Sequence, residues 1–243
     1  MSNTLARPYA DYFPYGLSMR VPNMAYAADV TLNAPYCANF GAPLALDADG
    51  IVDGLVMVNG SAVSVSTFSV DASATTIANN GLVPFDSRTV RNGWGRNITV
   101  VASAANARTL TVTGYDYLGS KLVETITVNG TTTVQGVKAF QWVESVSLSS
   151  DTDTTTVDIG WGNKFGLPYK GIAMDVEIKN NAIAANAGTF TAGLATATAE
   201  TATNADVRGT YLPVTVIPDG TNTFEVWYIT SRNDLHGQAR YAG

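Results

Sequence analysis

An all-β chain built as a β-sandwich is the fold class this sequence predicts, on three observations. Runs with a two-residue period recur along most of its length, and turn spellings such as Asn59-Gly60, Asn129-Gly130 and Pro218-Asp219-Gly220 punctuate them. No stretch repeats its apolar residues every three or four positions over a helical length. With 46% apolar and only 14% charged content, 243 residues can bury a sizeable core. About ten strands are expected, with a jelly roll as the core and extra hairpins added to it. The pattern leaves their order open.

Residues 1–45 are expected to form an extended N-terminal arm and residues 46–243 the sandwich body. Pro8, Pro14, Pro22, Pro35 and Pro43 push their predecessors toward β or polyproline conformations, while Tyr9, Tyr12, Phe13, Tyr15 and Tyr26 offer apolar area at low entropic cost. Such a segment needs a surface. Arg7, Tyr9, Tyr12, Phe13, Tyr15 and Met19 are the candidate interface residues. Two dockings are open: the arm wraps its own domain, or it seats on a neighbouring polypeptide. The expectation carried forward is that Arg7 to Met24 lies across another polypeptide.

In the body, Asp47-Ala48-Asp49-Gly50 reads as a turn, Ile51 to Val58 as a strand, Asn59-Gly60 as a hairpin turn and Ser61 to Val70 as the returning strand. Asp71 to Val90 is a polar connection long enough for a crossing between sheets, and Asn97 to Ser103 is the next strand. Arg108 to Gly114 and Lys121 to Val128 alternate, the latter with Leu122 out of step, and close as a hairpin through Tyr115 to Ser120. Ala139 to Ser149 reads as one strand with a bulge near Val143 to Ser145, and Thr154 to Gly160 as another. Gly171 to Lys179 reads as a half-buried strand with Ile172, Met174, Val176 and Ile178 on one face. Ala195, Ala197 and Ala199 alternate with threonines, so 180–205 is strand and loop. Pro213 to Ile217 and Thr223 to Thr230 form the last pair, the second apolar on both faces and therefore central.

Composition narrows function. Twenty acidic against fourteen basic residues, a net charge of −6, leave no basic footprint for nucleic acid. Cys37 is the single cysteine, so neither an intrachain disulfide nor a cysteine zinc cluster is expected. No run of about 18 apolar residues marks a membrane span, and the opening residues lack a basic start followed by an apolar run. Synthesis in a cytoplasm is expected. The Asp47-Ala48-Asp49-Gly50 spelling resembles the start of a calcium loop, but Ile51 and Val58 stand where further oxygen ligands belong. His236 is the only histidine, no Gly-x-Ser-x-Gly elbow or phosphate loop occurs, and Asp151 and Asp153 sit in turn composition. No catalytic, metal-binding or cofactor-binding residue is assigned, and no enzyme activity is expected.

Several segments carry a resemblance: Gly95 to Val100 (GRNITV), the run TLTVTGYDYLGSKLVETITVNGTTTVQGVKAF, Gly166-Leu167-Pro168-Tyr169, Asp206 to Tyr211 (DVRGTY) and the ending LHGQARYAG. In this order they resemble a family of tailed-bacteriophage head proteins that decorate or cement the capsid, over roughly residues 95 to 243. The resemblance implies a non-enzymatic sandwich or jelly-roll protein, self-associated as a dimer or trimer, that contacts the major capsid protein on the virion surface. It implies no cofactor and offers no catalytic residues. Tail or adaptor component is the neighbouring alternative. A carbohydrate-binding module using Trp94, Trp142, Trp161 or Trp227 is the alternative from another class.

Overall fold

A computed structural model describes residues 34–56, 62–64, 81–85, 93–104, 107–148, 156–194 and 197–231 of the chain. Among them every strand pairing is antiparallel and no α-helix occurs, as the two-residue periodicity predicts. A first sheet orders β1 (Ala34–Gly41), β14 (Phe224–Thr230), β10 (Gly171–Lys179) and β11 (Ala182–Ile183). A second runs β12 (Thr189–Ala192), β13 (Gly209–Leu212), β9 (Thr156–Gly166), β4 (Arg96–Ala102) and β7 (Val134–Phe140), with β2 (Asp47–Val56) also paired to β9. A third orders β3 (Ala62–Ser64), β8 (Trp142–Leu148), β5 (Ala107–Tyr115) and β6 (Lys121–Asn129).

Two cores follow from this layering. Ile98, Val100 and Ile159 of the second sheet meet Leu110, Val112, Ile126 and Val146 of the third in one aliphatic cluster. Phe224, Val226 and Tyr228 of the first sheet pack with Phe40, Phe85, Phe165 and Tyr211 in an aromatic one. Rings there approach edge-on or offset, as at Phe40 and Trp94 with centroids 5.5 Å apart. β9 serves both cores, because its eleven residues reach from the aliphatic cluster at Val157 to the aromatic one at Phe165.

Much of the expected element order holds. β5 and β6 pair in register from Ala107↔Asn129 to Tyr115↔Lys121, and β10 has the expected bounds. The bulge near Val143 to Ser145 is present: Thr113 faces Ser145 and Gly114 faces Val143, leaving Glu144 as the extra residue. β14 lies between β1 and β10, which accounts for its two apolar faces. The crossing between sheets expected after Asp71 also holds, since β3 lies in the third sheet and β4 in the second.

Other expectations are corrected. Asp47 to Gly50 belongs to β2, where Asp47 faces Trp161 and Val52 faces Ile159, so the polar spelling marks a bulge. The expected pairing of the strands on either side of Asn59-Gly60 is not seen among the described residues, where β2 pairs with β9 and β3 with β8 in another sheet; Asn59-Gly60 itself lies outside them. Ala139 to Ser149 is two strands, parted at Gln141, whose N–H donates to the Tyr115 carbonyl (2.9 Å) while its own carbonyl accepts from Val83 (2.9 Å). Leu122 is in step after all: it shares the buried face of β6 with Glu124, Ile126 and Val128. On β10, shifts between Gly171 and Ala173 and between Met174 and Val176 bury Glu177 and Lys179 and expose Ile172. Pro213 to Ile217 is not a strand, and β14 takes β1 and β10 as partners. Part of the expected arm, Ala34–Gly41, is an edge strand, a position where Pro35 costs no ladder bond in the sheet interior.

The junction of β2 and β9 leaves no room for a side chain at Gly160, where a Cβ would stand 1.8 Å from the Asp47 carbonyl oxygen. Gly160→Ala is expected to push the strands apart and lower stability by about 3 kcal/mol. A denaturant midpoint unchanged from the parent would contradict this packing.

Candidate functional site

Charged side chains in strand-rich sequence ordinarily face water, yet here several are sealed inside. The most connected is Arg208, which precedes β13 and is 1% exposed. Its Nη1 donates to Asp116 Oδ2 (2.5 Å) on the β5–β6 turn and its Nε to the Leu167 carbonyl (3.1 Å) after β9. Its guanidinium lies 4.8 Å from the centre of the Tyr117 ring, and the Tyr117 hydroxyl donates to the Pro168 carbonyl. Asp206 Oδ1 accepts from the Arg208 N–H (2.9 Å) and Oδ2 from the Ala139 N–H on β7 (3.1 Å). The Arg208 carbonyl accepts from Gly171 at the head of β10 (2.9 Å). One residue thus ties all three sheets. Asp206 and Asp116 raise the Arg208 pKa against the lowering effect of burial. Its Nη2 stands 4.0 Å from Asp206 Oδ1 and makes no hydrogen bond.

Three further locks repeat the device. Glu124 faces inward from β6 and accepts from the Val137 (2.5 Å) and Lys138 (3.4 Å) N–H groups, which fastens β7 to β6 across the gap between sheets. Gly136 is required beneath it, since a Cβ there would lie 2.7 Å from Glu124 Oε2. Burial raises the Glu124 pKa while these two donors and Lys138 oppose the shift. Lys138 Nζ in turn donates to Val123 (2.7 Å), Ala199 (2.6 Å) and Glu200 (3.0 Å) carbonyls. Glu177 pairs with Lys179 at 2.7 Å and accepts from the Tyr211 hydroxyl and the Gly188 N–H, while Lys179 also donates to the Val214 carbonyl (2.6 Å). Arg96 donates to Gly162 (2.8 Å) and Leu44 (2.9 Å) carbonyls and lies over Phe165, and burial lowers its pKa. Several of these bonds end on loop carbonyls and amides. Their chemistry is positional: they fix loops against strands.

With the charges inward, two sheet faces remain outward. On the third sheet, Leu110, Val112, Ile126 and Val146 point to the core, so Thr109, Thr111, Thr113, Thr125, Thr127, Ser145 and Ser147 share the other side. Thr109 stands opposite Thr127, Thr111 opposite Thr125 and Ser147, and Thr113 opposite Ser145. The charged residues Lys121 and Glu144 lie at one end, where Trp142, 37% exposed, pairs with Tyr115. The outward side of the first sheet is mixed, with Cys37, Val176, Ile178 and Ile229 beside Asn39 and Glu225.

The candidate interface residues Arg7, Tyr9, Tyr12, Phe13, Tyr15 and Met19 lie outside the described residues, as do Asp151, Asp153 and His236. Asp47 and Asp49 are described and touch each other, the Asp49 N–H donating to Asp47 Oδ1 at 3.4 Å. Gly50 lies against the Trp161 ring, which answers for its place in that spelling. Among the described residues no group of three or more His, Cys, Asp or Glu is arranged to hold a metal ion. Of the four tryptophans, Trp142 is the exposed one, whereas Trp161 is buried and donates its Nε1–H to the Ala45 carbonyl (3.1 Å). The locks were missed from sequence, although Glu124, placed between Leu122 and Ile126 at two-residue spacing, signals one. No family model, curated protein or solved structure matches the chain.

Burial also holds protons on Tyr117 and Tyr211, which serve these locks, and on Tyr228, whose hydroxyl donates to the Tyr169 carbonyl (3.0 Å). It raises the phenols of Tyr211, where Glu177 adds to the effect, and of Tyr228, and pushes Tyr117 up to about 12 despite Arg208. An unfolded tyrosine ionises near 10, so the folded chain holds protons that the unfolded chain releases above that pH. Their contribution is complete below pH ~10 and declines as pH rises, by about 1.4 kcal/mol per pH unit for each phenol still protonated. Denaturant unfolding between about pH 9 and pH 11 should show the decline, with Tyr228→Phe making it shallower. Stability independent of pH across that range would contradict it.

Proposed function

We propose that the chain is a structural virion protein that decorates and cements the capsid of a tailed bacteriophage by bridging major capsid protein subunits. The observation that carries this reading is the threonine and serine face of the third sheet. Ionised groups are costly to strip of water, while hydroxyls on a flat sheet exchange water for partner hydrogen bonds at small cost. Thr125 and Thr127 are exposed and the rest of that face is half-buried, so a shell subunit can approach it without desolvating a charge in its central rows. The inward locks serve the same end, because they hold the face rigid and reduce the ordering cost of docking.

The resemblance of the Gly95–Val100, Gly166–Tyr169 and Asp206–Tyr211 segments supports the reading from another side. Shell symmetry repeats the contact, so weak single contacts add to a durable layer. The partners are the major capsid protein and further copies of the chain, as dimer or trimer, on the outer capsid surface after synthesis in the host cytoplasm. No cofactor enters the role. One observation favours a second reading: Trp142 beside Tyr115 offers an aromatic platform of the kind that stacks on sugars.

Protein stoichiometry of purified virions separates these. Decoration predicts on the order of hundreds of copies per particle. A few to a few dozen copies would assign the chain to a tail or adaptor, and saturable glycan binding lost in Trp142→Ala would favour the sugar module.

A further inference from the structure

The third sheet ends on β6, and among the described residues no strand pairs with its second edge. β5 takes one side of it, and β7, next in the chain, turns into the second sheet to pair with β4. The turn that closes the β5–β6 hairpin decides which backbone groups point off the open edge. The Asp116 N–H donates to the Ser120 carbonyl (3.0 Å), while the Tyr115 carbonyl faces away from β6 and accepts from the Gln141 N–H (2.9 Å). Bonding alternates along an antiparallel ladder, and β5 and β6 pair without a shift from Tyr115↔Lys121 to Ala107↔Asn129. Leu122, Glu124, Ile126 and Val128 therefore exchange bonds with β5, and Val123, Thr125 and Thr127 aim N–H and C=O outward. The Lys138 ammonium lies on the Val123 carbonyl (2.7 Å), where this alternation places it.

Thr125 and Thr127 have no such cap. Both are exposed, and among the described residues no donor or acceptor meets their outward backbone groups. Open edges are ordinarily guarded by a lysine, a proline or a bulge. Here the ladder is unshifted and the nearest charges are engaged: Lys121 pairs with Glu200 (3.0 Å), and Glu124 turns inward to the Val137 and Lys138 N–H groups. The two threonines thus present two N–H and two C=O groups to a further strand.

The spacing of these groups fits a second copy of β6. Run antiparallel about a two-fold axis beside Ile126, Thr125 of each copy faces Thr127 of the other, and each such pair exchanges two N–H···O bonds. Every free group of both threonine pairs is then used. In the neighbouring register Thr125 would face itself and Val123 would face Thr127, which requires the carbonyl that Lys138 holds. The axis also sets the two Lys121 side chains at opposite ends, roughly 30 Å apart, so no like charges meet. Two third sheets become one sheet of eight strands, and their threonine faces become continuous.

We propose that the chain dimerises through the open edge of β6, with Thr125 of one copy paired to Thr127 of the other across a two-fold axis beside Ile126. This rests on the self-association in the reading above and gives it a surface. Its test uses the free protein, so its failure would leave the capsid contact standing.

Sedimentation and amide hydrogen exchange on the unmodified full chain read the contact directly. Dimers are expected at a concentration of about 500 µM, and in them the Thr125 and Thr127 amides should exchange at least about tenfold more slowly than unprotected amides. Dilution to monomers should restore the fast rate at these two positions and leave the Glu124 and Ile126 amides, bonded to β5 throughout, unchanged. Thr127→Pro removes an outward N–H without touching the β5 ladder, so it should give a monomer that keeps its melting transition. Exchange in the unmodified chain keeps the test decisive if that variant fails to fold. A chain that stays monomeric at about 500 µM would overturn the proposal. So would a dimer in which the Thr125 and Thr127 amides exchange as fast as in the monomer, or a folded Thr127→Pro chain that still dimerises, since another surface would then join the copies.

Discussion

The structure depends on a guanidinium that solvent barely touches. Arg208 meets the β5–β6 turn through Asp116, the end of β9 through the Leu167 carbonyl, β7 through Asp206 and the start of β10 through its own carbonyl. These contacts reach all three sheets. An apolar side chain at this place would have to leave the Leu167 and Pro168 region, the Asp116 turn and the Asp206 loop to find other partners. Burying two carboxylates and a guanidinium costs solvation, which the mutual attraction and the fixed hydrogen bonds through Nη1 and Nε offset while Nη2 makes none. What the arrangement gives is a single relative placement of the sheets.

The other locks extend this logic outward. Glu124 joins β6 to β7, Lys138 collects the loop at Ala199 and Glu200, and Glu177 with Lys179 gathers the segments around Gly188 and Val214. A chain with 14% charged residues has few to spare, and it places many of them where loops must be held. The central rows of the outer face of the third sheet are then left to threonine and serine. Rigidity inside and threonine and serine rows without a central charge suit the structural role proposed above.

The strands were legible where neighbouring residues decide them. β5, β6 and β10 follow from two-residue alternation, the extra residue at Glu144 from a shift in that alternation, and the central place of β14 from its apolar faces. Partner choice was not legible, because it is decided across the chain. The Asn59-Gly60 spelling favours a local hairpin, yet β2 finds β9 a hundred residues away and β3 finds β8. Burial of Glu177 was hidden by two bulges in β10, each of which turns the following residues to the other face. The hub drew on segments whose spellings were visible, Tyr115 to Ser120, Gly166 to Tyr169 and Asp206 to Tyr211, but nothing in any one of them says that they meet. Only the fold brings Asp116 and Arg208, 92 residues apart, within 2.5 Å.

The most direct test of the account is a double-mutant cycle on Arg208 and Asp116, read by denaturant unfolding. Arg208→Met alone should cost about 3–5 kcal/mol, because it leaves Asp116 and Asp206 buried without their counter-charge. Asp116→Asn combined with it should cost clearly less than the sum of the two single changes, with a coupling of about 2 kcal/mol. Single substitutions that each cost under about 1 kcal/mol, or effects that simply add, would show that the sheets are held together by their apolar cores alone.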